Sequence, residues 1–172
     1  MILTGKKICE EVKNGNISIK PFDKEMINPN SYNYHLGFTL LEVEQDLINA
    51  KKKVNYKTIQ LDEKGFLLLP NRLYLASTLE SIGSSKYAMT LIGRSSIGRL
   101  GLFLQVSAPL GHIGTNHSWT LELKVVQPLM VYPNMKIGQV SFWTVDGAND
   151  LDYISEYWKY HEPMTSKSYE EF

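Results

Sequence analysis

The chain has 172 residues, and its 18 basic and 18 acidic side chains cancel to a formal net charge of zero. No general electrostatic attraction therefore draws it to nucleic acid or to an anionic membrane, and any bound anion must be held by local Arg and Lys residues. The length fits one domain, residues 1–172, that can bury its core without disulfides. The single cysteine, Cys9, excludes an internal disulfide and a multi-cysteine zinc site, and is typical of a reducing compartment.

The sequence contains no apolar run typical of a signal peptide. It also contains no stretch of about 18 apolar residues, the length that a membrane-spanning helix needs. We therefore expect a cytoplasmic protein with no membrane or nucleic-acid partner.

A short helix is predicted at the N-terminus. Thr4 can cap it, the apolar residues Ile8, Cys9 and Val12 share one face, and Asn14-Gly15 can end it with residues that tolerate positive φ. Short runs of β-branched and aromatic residues follow, separated by turn residues, which is typical of an all-β distorted jelly roll or barrel. The predicted strands are 17–19, 34–43, 65–69, 73–79, 87–92, 102–106, 119–126, 130–132 and 139–145.

Two segments depart from the strand pattern. Residues 46–55 are polar and include the consecutive lysines Lys51, Lys52 and Lys53, which favours a solvated insertion between strands over a binding arm. Residues 146–172 form a polar C-terminal tail with a lone Phe172 at its end, as expected of a segment that is mobile or docks onto another surface.

The densest polar cluster is residues 93–101, with the sequence GRSSIGRLG. Its glycines allow backbone N–H groups to approach a phosphate, and Arg94 and Arg99 can donate bidentately, so the segment can form an anion-binding turn. An ordinary capped turn with two solvent-facing arginines fits the same composition, and composition alone does not decide between them.

A second candidate is the alternating segment 119–125. It sends Trp119, Leu121, Leu123 and Val125 to one face of a strand and Glu122 to the other. A solvent-facing Glu122 would be an ordinary surface residue. If that face meets a pocket or a neighbouring subunit, a partly desolvated carboxylate becomes a proton shuttle.

The loop before this strand contains His112 and His117, which suggests a zinc site. Zinc-dependent nucleobase deaminases carry an H-x-E element followed by P-C-x-x-C, and this sequence has neither. Surface or hydrogen-bonded histidines are therefore the favoured interpretation.

Taken together, these segments resemble the dCTP deaminase family of the dUTPase superfamily. The most specific part is GRSSIGRLGLFLQ at residues 93–105, followed by TLEL at 120–123 and MKIGQ at 135–139. The separation of Arg99 and Glu122, 122 − 99 = 23 positions, also matches the family. The resemblance extends from the N-terminal MILTGKKICEEV, through 27–31 and 36–37, to Lys159-Tyr160.

The resemblance implies a β-barrel of the dUTPase type, a homotrimer with active sites at subunit interfaces, and metal-free hydrolytic deamination of a cytosine nucleotide, dCTP to dUTP and ammonia. Glu122 would move protons between water, the pyrimidine ring and the leaving amine. Ser95 would hold the water, and Arg99 would stabilise negative charge at the base.

The resemblance also implies a set of residues that bind the nucleotide. Backbone groups around Val106, Ser107 and Ala108 would contact the base. Magnesium would be bound by the substrate phosphates rather than by the protein. The residues matching phosphate-binding positions are Arg94, Ser96 and Gln139, and those matching a tail that closes over the triphosphate are Tyr153, Lys159 and Tyr160.

The loop at 111–114 departs from the family pattern. The family has Ile/Val-Asp-Pro-Gly where this chain reads Gly-His-Ile-Gly, so His112 replaces an aspartate and is kept as a substrate-binding candidate. Because that aspartate supports water activation in dUTPases and bifunctional enzymes, its absence argues against triphosphate hydrolysis, and substrate preference is open to change.

Two further departures concern charge and the tail. The family's Asp-x-Arg-Leu-Gly reads Asn33-Tyr34-His35-Leu36-Gly37, which loses both charges of an expected structural ion pair. Pro163 stands where the family's Lys-Tyr-x-x-Gln pattern has glutamine. These changes leave open an alternative function, a catalytically inactive nucleotide-binding or regulatory relative.

Overall fold

The computed structural model describes residues 1–104, 108–147 and 161–172. The helices are α1 (Gly5–Lys13) and the one-turn α2 (Ser95–Gly98), with short 3-10 turns at Lys24–Met26 and Ser168–Glu171. The strands are β1 (Ile17–Lys20), β2 (Tyr32–Val43), β3 (Tyr56–Gln60), β4 (Phe66–Leu68), β5 (Tyr74–Ser84), β6 (Ala88–Gly93), β7 (Leu102–Leu104), β8 (Leu110–Gly111), β9 (Asn116–Val125), β10 (Leu129–Val131) and β11 (Lys136–Trp143).

Nine strands of the described residues form one antiparallel sheet that curls into a half-barrel. Its order is β7-β9-β5-β2-β11-β6-β8, with β1 added to β5 and β3 added to β2, while β4 and β10 form a separate pair. The buried hydrophobic core lies on the inner side of this curl and includes Ile8 from α1. The predicted all-β barrel-type fold with a short N-terminal helix is confirmed.

The local signals in the sequence explain most of these elements. Thr4 caps α1, because its hydroxyl accepts a hydrogen bond from the Lys7 amide at 3.3 Å. β3 was missed because its side chains are exposed or half-buried and lack the alternation of a core strand. α2 and β8 were also missed, since elements of four and two residues are too short to show a period.

Both faces of β9 follow the predicted alternation. Leu121, Leu123 and Val125 are buried in the core, and Glu122 and Lys124 lie on the opposite, outer face, with Glu122 half-buried and Lys124 exposed. The sheet therefore presents the candidate proton shuttle outward, on the side opposite the core.

A pair of bulges lies where β2, β5 and β9 meet. The β2–β5 register shifts between Leu36 and Leu40, and the β5–β9 register shifts between Ser77 and Ser81. Bulges leave backbone groups unpaired within the ladder, and these groups need other partners. Strand β5 runs through its bulge and ends at Ser84, beyond the end predicted at residue 79.

Glu80 lies inside the β5 bulge and is only 1% exposed. Its carboxylate contacts His35 Nδ1 at 2.5 Å and accepts a hydrogen bond from the His35 amide at 2.9 Å. The Thr78 hydroxyl donates to the Glu80 carbonyl at 2.7 Å and accepts from the Trp119 amide at 2.8 Å. This network, which we call the bulge network (His35, Thr78, Glu80 and Trp119), connects the three strands.

Two hydrogen-bonded contacts stand where the ion pair was expected, at positions 33 and 35. Asn33 is uncharged, and its side-chain amide donates a hydrogen bond to Asn28 Oδ1 at 3.4 Å. His35, however, pairs with Glu80, a residue 45 positions away that the sequence pattern did not single out.

We predict that His35→Ala lowers the free energy of unfolding by about 3 kcal/mol, because removing one partner leaves a buried carboxylate uncompensated. His35→Arg should retain most of the stability, since a guanidinium can donate to the same carboxylate. Urea denaturation of both variants measures the effect. A loss below about 1 kcal/mol in His35→Ala, the size of an ordinary exposed pair, would show that the pair does not hold the bulges together.

Candidate active site

The GRSSIGRLG segment, residues 93–101, forms the turn between β6 and β7, which we call the serine turn. Arg94 is the residue before α2 and has extended backbone geometry, while Ile97 is buried and attaches the turn to the core. Ser95, Ser96 and Arg99 are exposed. The turn therefore presents two hydroxyls and a guanidinium from a one-turn helix whose apolar residue fixes its position.

Arg94 and Gln139 lie on either side of the β6–β11 junction, where Gly93 pairs with Gly138 and Ile92 with Gln139. Arg94 Nη1 donates to the Lys136 carbonyl at 3.3 Å. Gln139 accepts from the Ser31 hydroxyl at 2.8 Å and donates to the Gly93 carbonyl at 3.5 Å. In the single chain, these two predicted phosphate-binding residues hold the backbone at the base of the serine turn.

Packing explains why the residue before Gln139 is a glycine, Gly138. A Cβ on Gly138 would overlap the ring of Tyr34. Tyr34 is fully buried and donates its hydroxyl to the Ile92 carbonyl at 3.1 Å, and burial raises its pKa. Gly138 thus lets β11 approach β2 closely, which brings Gln139 beside the serine turn.

Glu122 lies in a row of three paired residues across the outer face. Leu41 on β2 pairs with Leu75 on β5, and Leu75 pairs with Glu122 on β9. Leu41 and Leu75 are buried, at 9% and 6% exposure, although they face away from the core. Glu122 is therefore half-buried with apolar side chains along one side.

The serine turn and Glu122 are connected through the pairing of β7 with β9. The Val126 amide donates to the Gly101 carbonyl at 3.0 Å, and Phe103 pairs with Lys124. Val126 is four positions after Glu122, a distance of about 13 Å along an extended chain. The end of the serine turn is thus attached just past the end of the strand that carries Glu122.

The loop between β8 and β9 forms a compact turn. The His112 carbonyl accepts from the Thr115 hydroxyl at 2.6 Å, and the His112 and Ala108 side chains are exposed. His117 packs against the Trp119 ring with centroids 4.3 Å apart. Burial lowers the pKa of His117 below its usual range, so its ring is neutral at neutral pH.

Residues 1–104, 108–147 and 161–172 contain no group of three or more His, Cys, Asp or Glu side chains placed to hold a metal ion. In the same part of the chain, no helix has the length and apolar character needed to cross a membrane.

Several candidate residues lie outside the described part of the chain. These are Val106, Ser107, Tyr153, Lys159 and Tyr160. Pro163, the tail residue that departs from the family pattern, lies in the described part of the chain and is buried.

The dCTP deaminase-like family model matches residues 2–145 of this chain. A protein of Clostridium beijerinckii named dCTP deaminase, dUMP-forming, is 44% identical over all 172 residues and 99% of its own length. A protein of the same name from Hathewaya histolytica is 44% identical over 147 residues, 86% of this chain and 85% of its own.

A solved structure supports the fold independently. The crystal structure of 2'-deoxycytidine 5'-triphosphate deaminase from Agrobacterium tumefaciens superposes with a TM-score of 0.65 at 18% identity, over 82% of this chain. The matched region is 47% of that longer chain, about half its length. With the family model covering most of its residues and relatives above 40% identity along its length, this chain belongs to the dCTP deaminase-like family.

Proposed function

We propose that the protein deaminates dCTP by adding water to C4 of the cytosine ring and releasing ammonia. The observation that supports the proposal most strongly is the similarity to proteins named dCTP deaminase, dUMP-forming, which are 44% and 41% identical to this chain over all 172 residues. The half-buried Glu122 on the outer face and the exposed Ser95 and Arg99 on the serine turn supply the groups that the reaction needs.

The proposed chemistry gives three residues three different tasks. Glu122 takes a proton from water as the oxygen bonds to C4 and delivers it to N3. A second proton transfer through Glu122 then lets the amine leave as ammonia, with the C4 carbonyl of the uracil nucleotide formed. Ser95 holds the water, and Arg99 stabilises the negative charge that develops on the base.

The base and phosphates need additional groups. We assign the pyrimidine edge to the backbone at 106–108, and the phosphates to Arg94, Ser96 and Gln139 together with Tyr153, Lys159 and Tyr160. Arg94 and Gln139 must then use groups beyond those engaged at the β6–β11 junction. Magnesium would arrive on the triphosphate, which supplies oxygen ligands that this ion prefers.

We also propose that the protein is a homotrimer whose active sites form between copies. Three large apolar side chains, Leu100, Phe103 and Val126, are 48%, 45% and 61% exposed beside the strand that carries Glu122. Exposed apolar groups clustered next to a candidate site are typical of a subunit interface. The partner to which we assign this surface is a second copy of the same chain.

A second candidate activity is the further hydrolysis of dUTP to dUMP and pyrophosphate. It is favoured by the similarity to relatives that are named dCTP deaminase, dUMP-forming. His112, in the turn before β9, stands against it because the position lacks the aspartate of bifunctional enzymes. The ratio of pyrophosphate to ammonia decides between dUTP and dUMP as the final product.

We predict that the purified protein releases one ammonia per dCTP consumed in the presence of magnesium, in a panel that includes CTP, dCMP, CMP and dUTP. Glu122→Gln should lower kcat by at least about 100-fold, because it removes the proton shuttle while keeping the side-chain shape. Nucleotide affinity, measured by calorimetry, should stay within about threefold. Deamination that survives this substitution would remove Glu122 from the mechanism, and nucleotide binding without ammonia would favour a regulatory relative.

For the assembly, we predict a mass of about 59 kDa by light scattering, three times the 19.6 kDa of one chain. Phe103→Glu should shift the protein towards monomers and reduce deamination, because it places a charge in the proposed interface. Leu47→Glu is the matched control, since Leu47 is 85% exposed in the 46–55 insertion. A monomeric wild-type protein that deaminates dCTP would contradict the interface site.

A further inference from the structure

A small group of apolar residues is buried on the outer face of the sheet, away from the main core. Leu41, Val43 and Leu75 are at most 9% exposed and are separate from the core cluster. Their strand neighbours Leu40 and Ala76 point into the core, so alternation directs Leu41 and Leu75 outward. Another part of the chain must cover them.

Residues 161–172, which we call the strap, dock on this face. The Met164 amide donates to the Thr120 hydroxyl at 2.9 Å, and Pro163 is buried. Thr120 is two residues from Glu122 on the same face of β9. His161 shares a cavity with Asn116 and Ser118, further along that face. The strap therefore begins beside the candidate proton shuttle.

The far end of the strap reaches the 46–55 insertion. The Ser168 hydroxyl donates to the Ala50 carbonyl at 3.2 Å, and Lys51 Nζ lies 5.0 Å from the centroid of the Phe172 ring. A cation over an aromatic face is attracted by the ring quadrupole. The insertion, predicted as solvated, is exposed except for the buried Val54, and it also contacts the far end of the strap.

The strand order places the buried apolar residues between these two ends. The insertion follows β2, and the sheet order is β9-β5-β2, so a segment running from Thr120 to Ala50 passes over β5 and β2. Two strand spacings are about 10 Å, and the four residue-to-residue steps from Met164 to Ser168 can span about 13 Å. The strap is long enough to cover Leu75 and Leu41, the two residues in the row with Glu122.

We propose that the strap covers the apolar row beside Glu122 and that the insertion anchors it, which makes Thr120 and Lys51 positioning residues for the deamination. The strap excludes water from one side of the carboxylate and limits the directions in which it can transfer protons. This role for Thr120, Lys51 and Phe172 rests on the proposed function and extends it to parts of the chain with no assigned task.

Two pairs of variants test the proposal. Thr120→Val removes the acceptor for the Met164 amide while keeping the side-chain shape, and Thr120→Ser keeps the acceptor. Lys51→Gln removes the cation over Phe172, and Lys52→Gln changes the adjacent exposed lysine. Amide hydrogen exchange of the strap, measured by NMR, is compared with kcat and KM for dCTP in each variant.

In Thr120→Val, we expect the Met164 amide to exchange faster by roughly fivefold or more, since one hydrogen bond is lost. Lys51→Gln should accelerate exchange in residues 168–172. Both variants should lower kcat by roughly threefold to tenfold with KM within about twofold, because positioning acts on the chemical step. Thr120→Ser and Lys52→Gln should match the wild type in both readouts.

Unchanged exchange in Thr120→Val and Lys51→Gln would show that the strap is not anchored at these residues and would overturn the proposal. Faster exchange with unchanged kcat would leave a docked strap without a positioning role, which also overturns it. If the wild type exchanges as expected but releases no ammonia from dCTP, the proposed function itself fails and the positioning role fails with it.

Discussion

The candidate site depends on the pairing of one buried carboxyl group with a histidine on the neighbouring strand. Glu80 sits inside a bulge of β5 with 1% exposure, and both of its oxygens contact His35 of β2. A buried carboxylate that loses its partner destabilises a protein by several kcal/mol, so the two bulged strands are held in one register. Because Thr78 in the same bulge accepts the Trp119 amide, the constraint extends to β9. Glu122 follows three residues later on that strand.

The alternation of β9 separates structural and chemical tasks. One face supplies Leu121 and Leu123 to the core, and the other presents Glu122 next to the buried Leu75. The strap docks on this second face through Thr120. The serine turn is attached to the end of β9 through β7. A half-buried carboxylate with an apolar row on one side can exchange protons with a bound pyrimidine, which is the chemistry that the proposed deamination requires.

Much of this arrangement can be predicted from sequence because it depends on local periods. The cap at Thr4 and the alternation around Glu122 are short-range patterns, and they gave the helix and the faces of β9 correctly. The Glu80 pairing could not be predicted, since its partner is 45 residues away and bulges interrupt the alternation that marks a strand. The docking of the strap depends on which outer residues the sheet leaves uncovered, and only the folded chain defines that surface.

We propose above that this chain adds water to C4 of dCTP at the Glu122 face. Incubation with dCTP in water enriched in oxygen-18, followed by mass spectrometry of the uracil base, measures that addition directly. We expect one oxygen-18 atom at C4 of each product base. The rate at which this labelled product forms should fall by at least about 100-fold in Glu122→Gln. A product without the label at C4, or labelling that proceeds equally fast in the Glu122→Gln variant, would contradict the proposal.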